Sequence, residues 1–220
     1  MAALKVEQVR ENLQAIRARI DTAAARAGRD CGDVEILAAV KYLEGPELEV
    51  LADAGITLVG ENRAQELIEK LPYAAGRLRW HFIGALQSRK VKLIAPHVEL
   101  IHSVASDSVL RELGRHAPPE PEILIEVNLS GESGKAGIDP NELDAFIARS
   151  PLPVVGLMTM PPQTKDPGSN RPYFERLTAL ARERDLRQIS AGTSQDFEVA
   201  VEAGATIVRI GTSLYRQLQE

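Results

Sequence analysis

The stretch VEILAAVK, residues 34–41, decides the fold, because it is a short and almost wholly apolar run that ends on a lysine. Its length and composition predict a buried β-strand. Similar runs recur along the chain and alternate with stretches of helical period. Strand-like runs cover 34–40, 57–60, 79–84, 100–104, 122–129, 154–160, 188–192 and 206–211. Helical stretches cover 5–27, 46–54, 64–71, 88–94, 107–115, 141–149, 171–184 and 194–203.

This order of elements predicts the fold class. Strands that alternate with helices indicate a parallel sheet, and strands that are apolar throughout indicate burial on both faces. We therefore expect a single α/β domain over residues 1–220, a TIM-like (β/α)8 barrel. Only a short tail, 213–220, follows the last strand, so we expect the N-terminal helix to complete the outer ring. An open doubly wound sheet is the alternative, but its G-x-G-x-x-G turn is missing from VKYLEG at 40–45.

Charge and cysteine content exclude several classes of protein. The chain has 26 Lys and Arg against 31 Asp and Glu, a net charge of −5 that gives no general attraction to nucleic acid or anionic membranes. Its single cysteine, Cys31, cannot form an internal disulfide. The N-terminal segment has no apolar signal core, and no apolar run approaches the roughly 20 residues that cross a bilayer. We expect a cytoplasmic protein, and a monomer because no long exposed apolar stripe is evident.

In a barrel of this kind the active site lies at the carboxyl ends of the strands. The residues at the predicted strand ends are therefore the candidates for chemistry. They are Lys41, Glu61, Asn62, Gly84, Gln87, Ser103, Asn128, 158–160, 192–194 and 209–212. Other chemistries find no support, because the four histidines lack metal-ligand spacing and no nucleophile elbow or Walker loop occurs.

Lys41 is the most specific of these candidates. It shares side-chain parity with Leu37 and Ala39, which places it on the same face of the strand. Burial there would disfavour the charged ammonium and leave a neutral, nucleophilic amine. The alternative is a lysine that reaches past the strand end into water.

The ends of the last two strands predict a phosphate site. Gly192 and Ser194 follow the seventh strand, and Gly211 and Thr212 follow the eighth. Phosphate sites in such barrels frequently lie in the loops after strands seven and eight. Glycine lets the backbone approach the ligand, and the N-terminus of a following helix favours an anion. The alternative is that both glycines only make tight turns.

Arg209 has the same parity as Ile207, so we expect its guanidinium to point into the barrel mouth. A buried arginine needs a partner, which is either a carboxylate such as Glu61 or a ligand atom. Met158 is either core packing or a wall beside a flat ligand. An amine, a phosphate cradle and an inward arginine together indicate a phosphorylated aldehyde held as a Schiff base, and pyridoxal 5′-phosphate has these features.

The chain resembles the pyridoxal phosphate homeostasis proteins and the barrel half of alanine racemase. The resemblance spans nearly the whole chain and rests on AVK 39–41, GENR 60–63, HFIGALQSRK 81–90, VN 127–128, KAG 135–137, GLMTM 156–160, SAGTSQDF 190–197 and RIGT 209–212. It implies that Lys41 forms the Schiff base and that Asn62 lies near the cofactor. It also implies that Arg209 faces the pyridine nitrogen and that Ser194, Gly211 and Thr212 hold the phosphate. The family often has Met-Gly-Met where this chain has AGT at 191–193, inside the phosphate loop.

The resemblance also bears on catalysis. An arginine at the pyridine nitrogen makes the ring a weaker electron sink than an aspartate does. Racemases of this fold take a second acid or base from another domain, for which this chain has no residues left over. We therefore expect a carrier of pyridoxal phosphate, serving pyridoxal phosphate-dependent apo-enzymes, and not an enzyme. One alternative is a fold-type III racemase or decarboxylase whose second base is Tyr42, His81 or Tyr215 or comes from a partner subunit. The other is a cofactor-free Schiff-base aldolase.

Overall fold

The computed structural model describes residues 4–118, 121–132 and 134–215. Eight parallel strands close into a barrel in which each strand pairs with the next and β8 pairs with β1. The strands are β1 (Glu35–Ala39), β2 (Leu58–Glu61), β3 (Arg79–Phe82), β4 (Leu100–Val104), β5 (Glu122–Glu126), β6 (Val154–Met158), β7 (Gln188–Thr193) and β8 (Ile207–Ile210). The α-helices among the described residues are α1 (Val6–Arg26), α2 (Glu47–Asp53), α3 (Ala64–Lys70), α4 (Val91–Ile94), α5 (Asp107–His116), α6 (Leu143–Ala148), α7 (Arg171–Arg182), α8 (Phe197–Glu202) and α9 (Thr212–Tyr215). The predicted α/β barrel is confirmed.

Helix α1 completes the outer ring, as predicted from the short tail after the last strand. It packs against α2, α8 and α9, and it buries Val9, Ile16 and Ile20. The Asn12 side-chain Nδ2 donates to the backbone oxygen of Leu214 at 3.1 Å, which ties α1 to α9. The short helix α9 lies within the predicted tail and was not itself predicted. None of the helices in the described ranges is long and apolar enough to cross a membrane.

The barrel interior consists of an apolar layer and, nearer the carboxyl ends of the strands, a polar layer. The apolar layer is formed by Leu37, Leu58, Leu100, Leu124, Met158 and Ile207. His102, Glu126 and Arg209 each lie two residues beyond a member of this layer on the same strand. Because side chains alternate along a strand, these three polar side chains share the inward face with the apolar residues before them. The barrel therefore presents buried polar groups towards its open end.

Several elements end or begin elsewhere than predicted. β5 ends at Glu126 and β6 at Met158, earlier than the predicted 129 and 160. α8 begins at Phe197, three residues later than the predicted start at 194. Residues 194–196 form a turn instead, because the Asp196 carboxylate accepts hydrogen bonds from the backbone N and the hydroxyl of Thr193, at 2.7 and 2.9 Å.

Candidate functional site

A cavity of about 570 Å³ opens at the carboxyl ends of the strands. The eight residues predicted to hold a cofactor all line it, together with Ser103, Met160 and Thr193 from the strand-end candidates. Those eight are Lys41, Asn62, Met158, Gly192, Ser194, Arg209, Gly211 and Thr212. Six other strand-end candidates are not among the described lining residues: Glu61, Gly84, Gln87, Asn128, Thr159 and Ile210. The structure thus brings the predicted set together, while a role in binding stays a prediction.

Lys41 lies at the cavity rim, in the turn that follows β1. The residue is exposed, and its Nζ lies 4.7 Å from the centroid of the Tyr42 ring, within cation–π range. Of the two alternatives for Lys41, burial is wrong and the side chain that reaches past the strand end into water is confirmed, because the strand and its inward parity end at Ala39. Among the described residues that line the cavity Lys41 is the only lysine, so it supplies the only side-chain primary amine there.

A buried ion pair supports the backbone next to Lys41 and Asn62. Lys70 Nζ lies 2.6 Å from Glu61 Oε2 and donates to the Val40 backbone oxygen at 2.9 Å. The other oxygen of Glu61 accepts from the Asn62 backbone N at 2.6 Å. Of the two alternatives for the partner of Arg209, the carboxylate of Glu61 is wrong, since the parity of β2 turns Glu61 towards the helices and away from the barrel interior. The ion pair instead holds the backbone oxygen of Val40, just before Lys41, and the backbone N of Asn62. Lys41 and Asn62 both line the cavity.

The Arg209 guanidinium does point into the barrel mouth, where it is held by neighbouring strands. Nη1 donates to the backbone oxygen of Ser190 at 3.0 Å and to its Oγ at 2.5 Å. Nη2 donates to the backbone oxygen of Thr159 at 3.0 Å and contacts Met160 Sδ at 2.9 Å. Burial lowers the pKa of Arg209 to about 10, with nearby carboxylates acting in the opposite direction. The side chain is therefore still a cation at neutral pH.

Asn62 offers an unsatisfied acceptor to the site. Its Oδ1 is buried and has no hydrogen-bond partner among the described residues. A buried amide oxygen left this way costs about 1–3 kcal/mol. Because Asn62 lines the cavity, this cost indicates that its amide is placed to meet a ligand.

The loops after β7 and β8 form an open cradle. Apart from its chain neighbours, a Cβ built on Gly211 would have no atom of the described residues nearer than 3.9 Å, so the described part of the chain leaves that space unfilled. Ser194 Oγ accepts from the Gly211 backbone N at 3.1 Å, which leaves the hydroxyl proton available to a ligand. The backbone N–H groups of Ser194 and Gln195 have no hydrogen-bond partner among the residues that the structure describes. Hydroxyl and amide donors around open space are suited to an anion.

The two glycines of this cradle should respond differently to substitution. Gly192 has φ +87°, and a Cβ there would lie 2.6 Å from Ala200 Cβ and 2.9 Å from Phe197 Cα. We expect Gly192→Ala to lower the free energy of unfolding by roughly 1–3 kcal/mol. Gly211→Ala, which has room, should change it by less than about 0.5 kcal/mol. Urea unfolding of both variants checks this, and equal losses would contradict it.

Glu126 is a lining residue that was missed from the sequence. It ends β5, whereas the prediction extended this strand and took Asn128 as its end. Asn128 instead organises the following loop, where Nδ2 donates to the Glu132 oxygen at 3.0 Å and Oδ1 accepts from the Gly131 N at 3.2 Å. The signal that could have found Glu126 is its shared parity with the buried Leu124.

Glu126 should make stability depend on pH. Burial raises the pKa of its carboxyl, and the charge of Arg209 acts against that shift. A raised folded-state pKa contributes stability at low pH that is lost as the pH rises through it. We therefore expect Glu126→Gln to gain stability relative to the wild type as the pH rises above the usual titration range of a carboxyl, measured by urea unfolding across a pH series. Glu122→Gln, at the exposed start of the same strand, should show no such gain. If Glu126→Gln instead became less stable than the wild type as the pH rises, the predicted direction would be contradicted.

The three candidates for a second base lie in different surroundings. Tyr42 lines the cavity and is 66% exposed. His81 lies in the barrel interior at 3% exposure, and burial lowers its pKa to about 3, so it is neutral. The Tyr215 hydroxyl donates to the Ala39 backbone oxygen at 3.2 Å, and burial raises its pKa. Of the three, Tyr42 alone is among the described lining residues.

Comparison with known proteins gives consistent matches over most of the chain. The family model of the alanine racemase N-terminal domain matches residues 12–218. A pyridoxal phosphate homeostasis protein of Aquifex aeolicus is 40% identical over 93% of this chain and 96% of its own length. The crystal structure of an unknown protein from Bifidobacterium adolescentis has a TM-score of 0.86 at 29% identity, covering 96% of this chain and 95% of that one. PipY of Synechococcus elongatus, solved with PLP bound, has a TM-score of 0.79 at 28% identity, covering 94% of this chain and 100% of its own.

Proposed function

This chain belongs to the pyridoxal phosphate homeostasis protein family, and from that premise we propose that it binds pyridoxal 5′-phosphate reversibly in the barrel cavity through the amine of Lys41. The observation that carries the proposal is the placement of one lysine at the rim of a cavity that the anion cradle also lines. PipY, a similar protein, has been solved with PLP bound. The proposed role is intracellular homeostasis of this cofactor.

The residues present fit the cofactor. The unfilled space at Gly211 and the unpartnered Asn62 Oδ1 are both features that a bound ligand would satisfy. When bound, pyridoxal phosphate supplies an aldehyde carbon that a primary amine attacks with loss of water. Lys41 provides that amine. The rim position keeps the amine accessible to a ligand that enters from solvent.

The remaining lining residues would bind and orient the cofactor. Ser194, Gly211 and Thr212, with Gly192 shaping the turn, would hold the phosphate through hydroxyl and backbone donors. Met158, 3% exposed, would provide a flat apolar contact for the ring. Arg209 would face the ring nitrogen with a donor only, because a guanidinium has no acceptor. Such a partner does not stabilise a protonated ring, which limits carbanion chemistry.

We propose a carrier and not an enzyme. The only proposed second base that lines the cavity, Tyr42, stands largely in solvent, where water competes for any proton it would hold. The exposed rim at Lys41 and Met160 also leaves the site open, unlike sites that protect reactive intermediates from water. An open rim supports release to pyridoxal phosphate-dependent apo-enzymes, and we propose that the chain does this as a cytoplasmic monomer.

One observation favours a second candidate, a fold-type III racemase or decarboxylase. Glu126 places a buried carboxyl in the cavity wall, and burial raises its pKa. A carboxyl whose pKa is raised in this way can hold and return a proton at a higher pH than an exposed carboxyl can. The second candidate therefore predicts proton exchange at the α-carbon of amino acids.

A two-part experiment separates these functions. Titration of the purified chain with pyridoxal phosphate should give saturable visible absorbance at one equivalent, and a chain that stays colourless contradicts binding. Incubation of the loaded protein with amino acids in D₂O, followed by proton NMR, should show α-carbon exchange no faster than with free pyridoxal phosphate. Exchange well above that level that disappears in Glu126→Gln would favour the enzyme.

A further inference from the structure

Beneath the cavity, four buried polar side chains from four strands form one hydrogen-bonded chain. Arg209 Nη1 lies 2.5 Å from Ser190 Oγ, which lies 2.9 Å from His102 Nδ1, and His102 Nε2 lies 3.0 Å from His81 Nδ1. Exposure is 7%, 0%, 0% and 3% from Arg209 to His81. The strands concerned are β8, β7, β4 and β3, so the chain crosses the barrel interior. Nothing in the proposed binding of the cofactor uses the two histidines or the serine directly.

The direction of this chain follows from its arginine. A guanidinium only donates, so Ser190 Oγ accepts from Arg209. If the hydroxyl also accepted from His102, its own proton would be left buried without an acceptor among the described residues, at a cost of about 1–3 kcal/mol. Ser190 therefore donates to His102 Nδ1, and His102 then carries its proton on Nε2 and donates to His81 Nδ1. Both histidines are neutral Nε2–H tautomers, which agrees with their burial and their lowered pKa values.

The same contacts determine which donor Arg209 has left for a ligand. A guanidinium has five N–H groups, one on Nε and two on each terminal nitrogen. Both groups on Nη1 are directed at Ser190, and both on Nη2 at Thr159 and Met160. Nε–H alone has no partner among the described residues, and Arg209 lines the cavity. The side chain thus offers one donor of fixed direction.

We propose that Ser190, His102 and His81 are positioning residues for Arg209, whose guanidinium they lock so that Nε–H is the donor presented to the ligand. The serine can hold Nη1 only while its own proton is accepted by His102, and His102 can accept at Nδ1 only while His81 accepts from its Nε2. A donor fixed in this way loses no side-chain entropy when the ligand arrives. The inference rests on the proposed function for the identity of that ligand, but the hydrogen-bond direction is a property of the protein alone.

The first test uses the ligand-free protein. Nitrogen-15 NMR of the wild type near neutral pH should show His81 and His102 as neutral Nε2–H tautomers. An Nδ1–H tautomer or a charged ring at His102 would reverse the chain and overturn the proposal. This result does not depend on cofactor binding, so it stands apart from any failure of the proposed function.

The second test compares two variants at one position whose side chains have the same branched shape. His102→Asn keeps an acceptor near Ser190, whereas His102→Leu removes it. In the ligand-free proteins the Arg209 Nε–H signal should move in His102→Leu and stay near its wild-type position in His102→Asn. The Kd for pyridoxal phosphate should rise about tenfold in His102→Leu and no more than about twofold in His102→Asn.

Melting temperatures show whether each variant is folded. A general loss of structure is then not mistaken for a displaced Arg209 guanidinium. Equal Kd values for folded His102→Leu and wild type would overturn the proposal, as would an unmoved Nε–H signal. If His102→Leu does not fold, Ser190→Ala takes its place with the same expected changes. A wild type that binds no pyridoxal phosphate would overturn the proposed function and leave the tautomer and Nε–H measurements to decide the positioning role.

Discussion

Lys41→Ala is expected to abolish covalent capture of pyridoxal phosphate. Wild-type protein incubated with the cofactor and then reduced with borohydride should gain one cofactor mass per chain, on the peptide that contains Lys41. The variant should gain none, because Lys41 is the only lysine among the described residues that line the cavity. Mass spectrometry of the intact protein measures the added mass, and mass spectrometry of its peptides locates it. Before reduction, the wild type should show the visible absorbance of the bound cofactor and the variant should not.

Two further substitutions serve as controls. One tests whether a positive charge at the rim is enough for labelling, and the other tests whether an exposed lysine outside the cavity is labelled. Lys41→Arg keeps a cation at the rim but has no primary amine, so it should bind the phosphate end without being fixed by borohydride. Lys92→Ala removes an exposed lysine of α4 outside the cavity and should label as the wild type does. Labelling that persists on another lysine in Lys41→Ala would show that the rim amine is not the point of attachment.

The location of the cavity could be predicted from the sequence because parallel strands gather their carboxyl ends at one side of a barrel. Alternation along β8 was enough to direct Arg209 inwards, two residues beyond the buried Ile207. Glu61 was considered, beside a ligand atom, as the partner of Arg209 without regard to its own parity on β2, which turns it outwards to Lys70. Parity within a strand was thus a better guide than nearness to a strand end.

What could not be predicted depends on where each strand stops and on contacts between distant strands. Lys41 is exposed because β1 ends before it, and local composition does not fix that boundary. Glu126 was passed over because β5 was extended past its true end. The contact of His81 with His102, and of His102 with Ser190, joins residues 21 and 88 positions apart in the chain. The spacing of the histidines along the sequence does not predict these contacts, since the register of the strands in the barrel decides which side chains meet.

Lys70→Met is expected to lower the free energy of unfolding by about 3–5 kcal/mol, because it leaves the buried carboxylate of Glu61 without its cation. The side chains of Lys70 and Glu61 are 6% and 0% exposed, so water cannot replace the lost partner. Urea unfolding at neutral pH measures the loss. Lys92→Met, a similar change at an exposed position of α4, should cost less than about 0.5 kcal/mol.

The double variant Lys70→Met with Glu61→Gln isolates the unpaired charge. Glutamine can still accept from the Asn62 backbone N but carries no charge, so the double variant should recover much of the stability lost in the single one. Borohydride labelling of Lys41 should be reduced in Lys70→Met and should stay reduced in the double variant, because both lack the hydrogen bond from Lys70 Nζ to the Val40 oxygen that holds the rim turn. Full recovery of both stability and labelling would mean that the pair only neutralises charge. Recovery of stability without labelling would mean that Lys70 also sets the position of the rim amine.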